Sequence, residues 1–224
     1  MLITEHGQIL FPGEHVMAVA PQPVGRRERN KQHKLDRITA AAAELFAEHG
    51  VDEVTTQQIA DRADIGTGTL FLYAKTKGEL LLLVQNSTYA DALVTGRTAA
   101  EAIPDVLEAV MAIVRPVVEC NRKQIENGRT YLREIVFGDP DEPHHREALA
   151  LTVQTEEAIA DVLTRDPRIE PRNAARLAHI VSAIMFLSMA ATINVSRSVD
   201  EILSEISGQI YVLLPTGGTG RPTD

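Results

Sequence analysis

Apolar positions along the chain recur mostly at three- and four-residue spacing, and this periodicity predicts helices nearly throughout. Leu35, Ile38, Ala42, Leu45 and Phe46 form one stripe over Lys34 to His49, with Gly50 placed as a left-handed stop. A short amphipathic piece follows from Thr55, where Thr55 and Gln58 form a helix start. Asp64-Ile65-Gly66 breaks the period, with Gly66 either turning the chain or capping the next piece, Thr67 to Tyr73. Leu70 is spaced to pack back on Ile59 and Ala63, and Thr76 with Glu79 reads as a capping box. A longer helix then runs to about Arg97.

Beyond it, Ile103-Pro104 restarts a helix whose stripe runs from Val106 to Val118, with Pro116 expected to kink it. Asn121 to Phe137, His144 to Leu163, Arg172 to about Ser196 and Val199 to Leu214 complete the series, the last opened by Ser198 and Glu201. The fold class is all-α, with about nine helices and no strand candidate of any strength. Residues 1–28 read as a disordered leader with a basic arm from about 26, and 215–224 as a flexible tail. Between them lie a head over 29–83 and a helical body over 84–214. Met17 is an alternative start to Met1.

Two short helices joined by a tight turn make a helix-turn-helix unit, which serves DNA binding and other roles alike. The second carries Thr67, Gly68 and Thr69 at its start, small enough to let a backbone come close to a groove. The surrounding motif, T-T-x-x-I-A-x-x-A-x-I-G-x-G-T-L-F-x-Y-x-x-x-K-x-E-L from Thr55 to Leu80, resembles the tetracycline-repressor (TetR) family of bacterial transcription regulators. The resemblance covers Lys34 to about Leu83. Phe71 stands where that family usually has a tyrosine that binds phosphate, Ala74 where it has an aromatic, and Gly66 where it has a serine cap.

The formal net charge is −9, yet Arg26, Arg27, Arg29, Lys31, Lys34 and Arg37 cluster before the first helix and in its first turn. A basic end on an acidic body suits a protein that offers one face to phosphate. Accordingly Thr67, Gly68, Thr69, Leu72 and Tyr73 are expected to read a major groove, with Phe71 beside them. Thr56, Gln57, Lys77, Arg27 and Arg29 are expected to meet phosphate.

A single cysteine, Cys120, excludes an intrachain disulfide and a CxxC metal site and fits a cytoplasmic location. Adjacent His144 and His145 lack the spacing of a chelating pair, so no metal and no cofactor are assigned. No phosphate loop, dinucleotide fingerprint or nucleophile beside a histidine argues for an enzyme. The longest apolar stretch, Ile180 to Ile193, falls short of the roughly 20 residues that span a bilayer, so no membrane partner is expected.

The resemblance implies a homodimeric repressor that leaves a palindromic double-stranded operator when it binds an unknown small molecule. Surplus apolar surface on the last two helices, 172–214, places the dimer contact there. Met111, Tyr131, Phe137, Met185, Phe186 and Met189 are candidates for the ligand pocket, with the Tyr131 hydroxyl as its polar handle. The alternatives are a helical enzyme or interaction module that does not bind DNA, and a DNA-binding regulator with no effector.

Overall fold

The computed structural model describes residues 25–215. The expected leader up to residue 24, with Met17, and the tail from 216 lie outside the described residues. Those that are described fold into nine α-helices and one 3-10 turn, with no strand among them: α1 (Arg26–His49), α2 (Thr56–Arg62), α3 (Thr67–Leu70), α4 (Lys77–Glu101), α5 (Val106–Arg122), α6 (Ile125–Phe137), α7 (Pro143–Leu163), α8 (Pro171–Ala190) and α9 (Val199–Leu213). Packing divides the chain into residues 1–33 and 34–224. Of the first unit, the described part is the opening of α1, so the basic run from Arg26 is helical and not the disordered leader expected up to residue 28.

In the second unit, Ile38, Phe46, Ile59 and Leu70 are fully buried together with Ala42, Ala60 and Ala63. Burying each large side chain stabilises by roughly 1.5–3 kcal/mol, which holds helices too short to persist alone. Thr55 and Gln58 form the expected reciprocal cap: Thr55 Oγ1 accepts from the Gln58 amide at 3.2 Å, and Gln58 Oε1 accepts from the Thr55 amide at 2.8 Å. Gly50 ends α1 with φ +78°. Asp64, at φ 52°, takes the left-handed turn position, while Gly66 stays extended and precedes α3. Asp64 is held there by Arg37, whose guanidinium donates to its carboxylate at 3.2 Å and its carbonyl at 3.4 Å. The turn therefore falls two residues earlier than the glycine alone suggests.

In the body, α4 packs against α5, α6 and α7, and α8 against α5, α6, α7 and α9. Gly96 lets α4 meet α5 closely, since a Cβ there would stand 2.8 Å from the Ile113 Cα. The α5 helix opens at Val106 behind an Asp105 cap and continues through Pro116 to Arg122. The Thr76 cap is one-sided. Its hydroxyl accepts from the Glu79 amide at 3.1 Å, but the Glu79 carboxylate turns back to the Lys75 amide at 2.9 Å.

The α8 helix stops at Ala190, short of the expected Ser196. Ala191 is extended, and Thr192–Asn194 form a 3-10 turn. Carbonyls of Asn194, Val195 and Arg197 gather on the buried Arg122 guanidinium at 2.9–3.1 Å, which rewards the break. By length and composition α8 is apolar enough to cross a membrane, with a mean hydropathy of 1.3 over its best window, contrary to the expectation from the serine and threonine interruptions. Ala178, Val181, Met185 and Met189 nevertheless pack into the core.

The expected α9 stripe is likewise core. Ile202, Leu203, Ile206 and Ile210 are buried within the protomer, so the surplus apolar surface belongs mainly to α8. There Ile180, Ile184 and Leu187, the last 69% exposed, line a groove of about 730 Å³ closed on its other side by Glu205 and Gln209 of α9.

Candidate DNA interface and ligand cavity

The α3 helix is a single α-turn, shorter than the expected Thr67 to Tyr73. After Leu70 the chain tightens, with Leu72 N donating to Thr69 O at 3.1 Å and Tyr73 N to Leu70 O at 2.9 Å. Leu70 points into the core, while Gly68 and Phe71 are exposed and Leu72 is 83% exposed. Thr67 and Thr69 are half-buried, and Tyr73 packs its ring partly against the core. Thr67 Oγ1 donates to Gln57 Oε1 at 2.6 Å, and Gln57 Nε2 donates to Asp61 Oδ1 at 2.7 Å, tying the two helices of the unit together. Thr56 is half-buried at the start of α2. Lys77 Nζ reaches the Asp52 carbonyl at 3.1 Å. Arg27 and Arg29 are exposed in the first turns of α1.

Three sets of contacts tie this head to the body. The buried side chain of Asn127, on α6, accepts from the Val51 amide at 2.7 Å and donates to the Phe46 carbonyl at 2.8 Å. His144, on α7, donates from Nε2 to the Tyr73 carbonyl at 3.2 Å. Lys75 pairs with Glu142 at the start of α7. That pairing holds the Glu142 carboxyl below its ordinary range, whereas burial raises the pKa of neighbouring Glu79. The two adjacent histidines thus serve different carbonyls, since His145 Nε2 donates to Ile135 O at 3.1 Å.

Within the body, a cavity of about 60 Å³ is lined by Tyr131, Met185, Phe186 and Met189, as expected, and also by Tyr89 and Ile135. Met111 and Phe137 do not line it. Met111 lies on the outer side of α5 near Thr95 and Arg115, and Phe137 is 82% exposed at the end of α6. Helical spacing alone could not tell the inner from the outer face of α5 and α6, because both carry apolar residues.

The Tyr89 and Tyr131 rings stack, with centroids 4.2 Å apart. Tyr131 does not hold its hydroxyl out to the cavity; it donates to Asn86 Oδ1 at 3.0 Å. Asn86 in turn donates to the His144 carbonyl and to Glu147 Oε2, both at 3.0 Å. Asn121 Nδ2 donates to the Tyr89 hydroxyl at 2.7 Å. Burial pushes both phenols well above their ordinary range, so they remain neutral, Tyr89 accepting and Tyr131 donating. The same effect pushes the Cys120 thiol up to about 11, which keeps it an inert thiol at neutral pH. Asn86, Asn121 and Asn127 were not singled out from the sequence. A polar residue on an otherwise apolar helix face was the available signal.

Comparison with known proteins agrees with this geometry. Residues 38–84 match the sequence model of bacterial regulatory proteins of the tetR family. The HTH-type transcriptional activator FasR of Mycolicibacterium smegmatis is 26% identical over 184 residues, covering 79% of this chain and 81% of that protein. The HTH-type transcriptional regulator TcmR of Streptomyces glaucescens is 27% identical over 168 residues, covering 73% of this chain and 65%, just under two thirds, of TcmR.

Among solved structures, Thermus thermophilus FadR, a TetR-family repressor in complex with lauroyl-CoA, superposes with a TM-score of 0.65 at 22% identity. The match covers 85% of this chain and all of that one. A TetR regulator from Rhodococcus sp. RHA1 superposes with a TM-score of 0.63 at 16% identity, covering 84% and 98%. The chain is a DNA-binding transcriptional regulator, not an enzyme, and is similar to the TetR family of bacterial regulatory proteins, whose sequence pattern its residues 38–84 match.

Proposed function

We propose that this protein is a homodimeric cytoplasmic repressor whose hold on a palindromic operator is released by a small molecule with an extended apolar part. The observation that carries this reading is the apolar cavity beside α6, the same helix whose Asn127 grips the loop after α1. A ligand that spreads α6 from α8 gains affinity for one position of the head, and that differential affinity shifts operator binding. At about 60 Å³ the cavity is well below the ~300 Å³ at which ligand pockets begin, so binding must open it. Lauroyl-CoA in Thermus thermophilus FadR supports an acyl-type ligand here.

In this reading Gly68, Thr69, Phe71, Leu72, Thr67 and Tyr73 meet the major groove, while Thr56, Gln57, Lys77, Arg27 and Arg29 hold phosphate. The apolar face of α8 covers its counterpart on a second copy, which sets two recognition turns side by side. The test is fluorescence anisotropy on DNA from beside the coding region, with and without lauroyl-CoA, over a range of salt. Replacing Arg27 and Arg29 by Ala should weaken all DNA alike and lower the salt slope by about one per lost contact. Replacing Thr69 or Leu72 should change preference among operator variants. No specific fragment bound, or a bound fragment indifferent to every acyl ligand, would overturn the DNA and ligand parts respectively.

A further inference from the structure

A second hollow, about 360 Å³, lies on the outer side of α6 and is lined by Glu126, Arg129, Arg133, Phe137 and the end of α8. We propose that it seats a phosphate-bearing headgroup of the effector, whose linear apolar tail enters the inner cavity past the Phe186 ring. This rests on the reading of the inner cavity as the effector site.

Among the described residues Phe186 is the one that lines both spaces, so its ring is the wall between them. The α6 helix presents Tyr131, Leu132 and Ile135 to the inner cavity and Arg129 and Arg133, one turn apart, to the outer groove. A small rotation of one ring therefore joins an apolar space to a cationic one. The joined volume enters the range of small-molecule sites, which the inner cavity alone does not.

The charges suit an anion even though the chain is acidic overall. Arg129 is fixed in place: its Nε donates to the Ala190 carbonyl at 3.3 Å, and another guanidinium nitrogen donates to Thr192 Oγ1 at 3.2 Å. Arg133 is 60% exposed and meets Glu134 only at 4.0 Å, so it keeps its fork of donors for a ligand. Of the two acids in the groove, Glu126 is taken up by Arg129 at 3.5 Å. Asp52 stands beside Lys77, whose ammonium holds its carbonyl. Phe137, exposed at the rim with Val136, offers an apolar face to the part of the ligand that leaves the cavity. Two arginines on a helix face, one anchored and one able to swing, are suited to phosphate oxygens, which accept paired N–H donors. A bare hydrocarbon would leave this half of the site unused.

The experiment compares lauroyl-CoA with S-lauroyl-N-acetylcysteamine, a thioester with the same tail and no phosphate, by calorimetry on the full chain. Arg133→Glu is the main variant, because the side chain is exposed and its replacement should leave the melting temperature unchanged. It should weaken lauroyl-CoA about tenfold or more, as expected for loss of a charge-assisted bond, and leave the uncharged thioester within about twofold. Lauroyl-CoA affinity should also fall with salt in the wild type, and Phe186→Ala should speed association of both ligands. Equal affinities for the two thioesters in the wild type, or an equal loss for both in Arg133→Glu, would overturn the headgroup site and leave the effector cavity standing. If neither thioester binds the wild type, the effector reading itself fails, and this inference with it.

Discussion

Replacing Asn127 by Ala tests the link between body and head most directly. The side chain makes two buried bonds to the last turn of α1 and the loop after it, at 2.7 Å from the Val51 amide and 2.8 Å to the Phe46 carbonyl. Val51 is buried, so its amide loses its partner with no water to replace it, at a cost of about 1–3 kcal/mol. Phe46 O keeps its 3.0 Å bond from the Gly50 amide, so losing the second bond costs only about 0.5–1.5 kcal/mol. The total is about 1.5–4.5 kcal/mol. At roughly 2–4 °C per kcal/mol for a chain of this size, the melting midpoint should fall on the order of 10 °C.

Thermal unfolding followed by circular dichroism measures this. Operator titrations on the same variant should show a smaller ligand-induced change in affinity, because α6 then grips the head less firmly. Asn127→Asp supplies a second signature. Its carboxylate can accept from Val51 but would face the Phe46 carbonyl oxygen, so the folded state favours the protonated acid and its pKa rises. Stability relative to the wild type is then retained at low pH and lost as pH rises above the unfolded aspartate value of about 3.9 toward the raised folded one. An Asn127→Ala protein melting within about 2 °C of the wild type would refute the reasoning.

Gly96→Ala should melt about 3–9 °C lower, since its Cβ would stand 2.8 Å from the Ile113 Cα and neither backbone can give way cheaply; differential scanning calorimetry measures it. Leu187→Glu together with Ile180→Glu should turn a sedimenting dimer into a monomer with helical content unchanged, whereas a persistent dimer would place the contact elsewhere. Glu201 is held below its ordinary pKa by the Ser198 amide and hydroxyl. Its contribution is therefore present above about pH 4.3 and lost as pH falls through the lower folded value, so Glu201→Gln should flatten the melting-temperature profile over that window.

The head was legible in the sequence because its signals are local. Thr55 with Gln58 declares its cap within four residues, as Ser198 with Glu201 does in the body, and the motif from Thr55 to Leu80 fixes which helices pair. What failed were features set by distant partners. Arg122 ends α8 from another helix, and Arg37 steadies Asp64 as the turn residue from across the head. The α9 stripe predicted a surface because periodicity counts apolar faces without saying whether α5 and α8 already cover them. The cavity was half legible: methionines and Phe186 marked α8 correctly, but Phe137 and Met111 needed the orientation of α5 and α6.

The contacts of Tyr73 and Lys75 with the first turn of α7 bear on whether the head is a portable part. The four-residue α3 turn, with a glycine at its second position, has little helical preference of its own. Just beyond it, the Tyr73 carbonyl leans on His144 and Lys75 on Glu142. A graft of residues 29–83 onto an unrelated regulator would discard these supports along with Asn127. Swapped heads should therefore read DNA faithfully only when the recipient body carries an asparagine, a histidine and an acid at the matching places. Among relatives with the same motif, body compatibility and not head sequence would then decide which chimeras work.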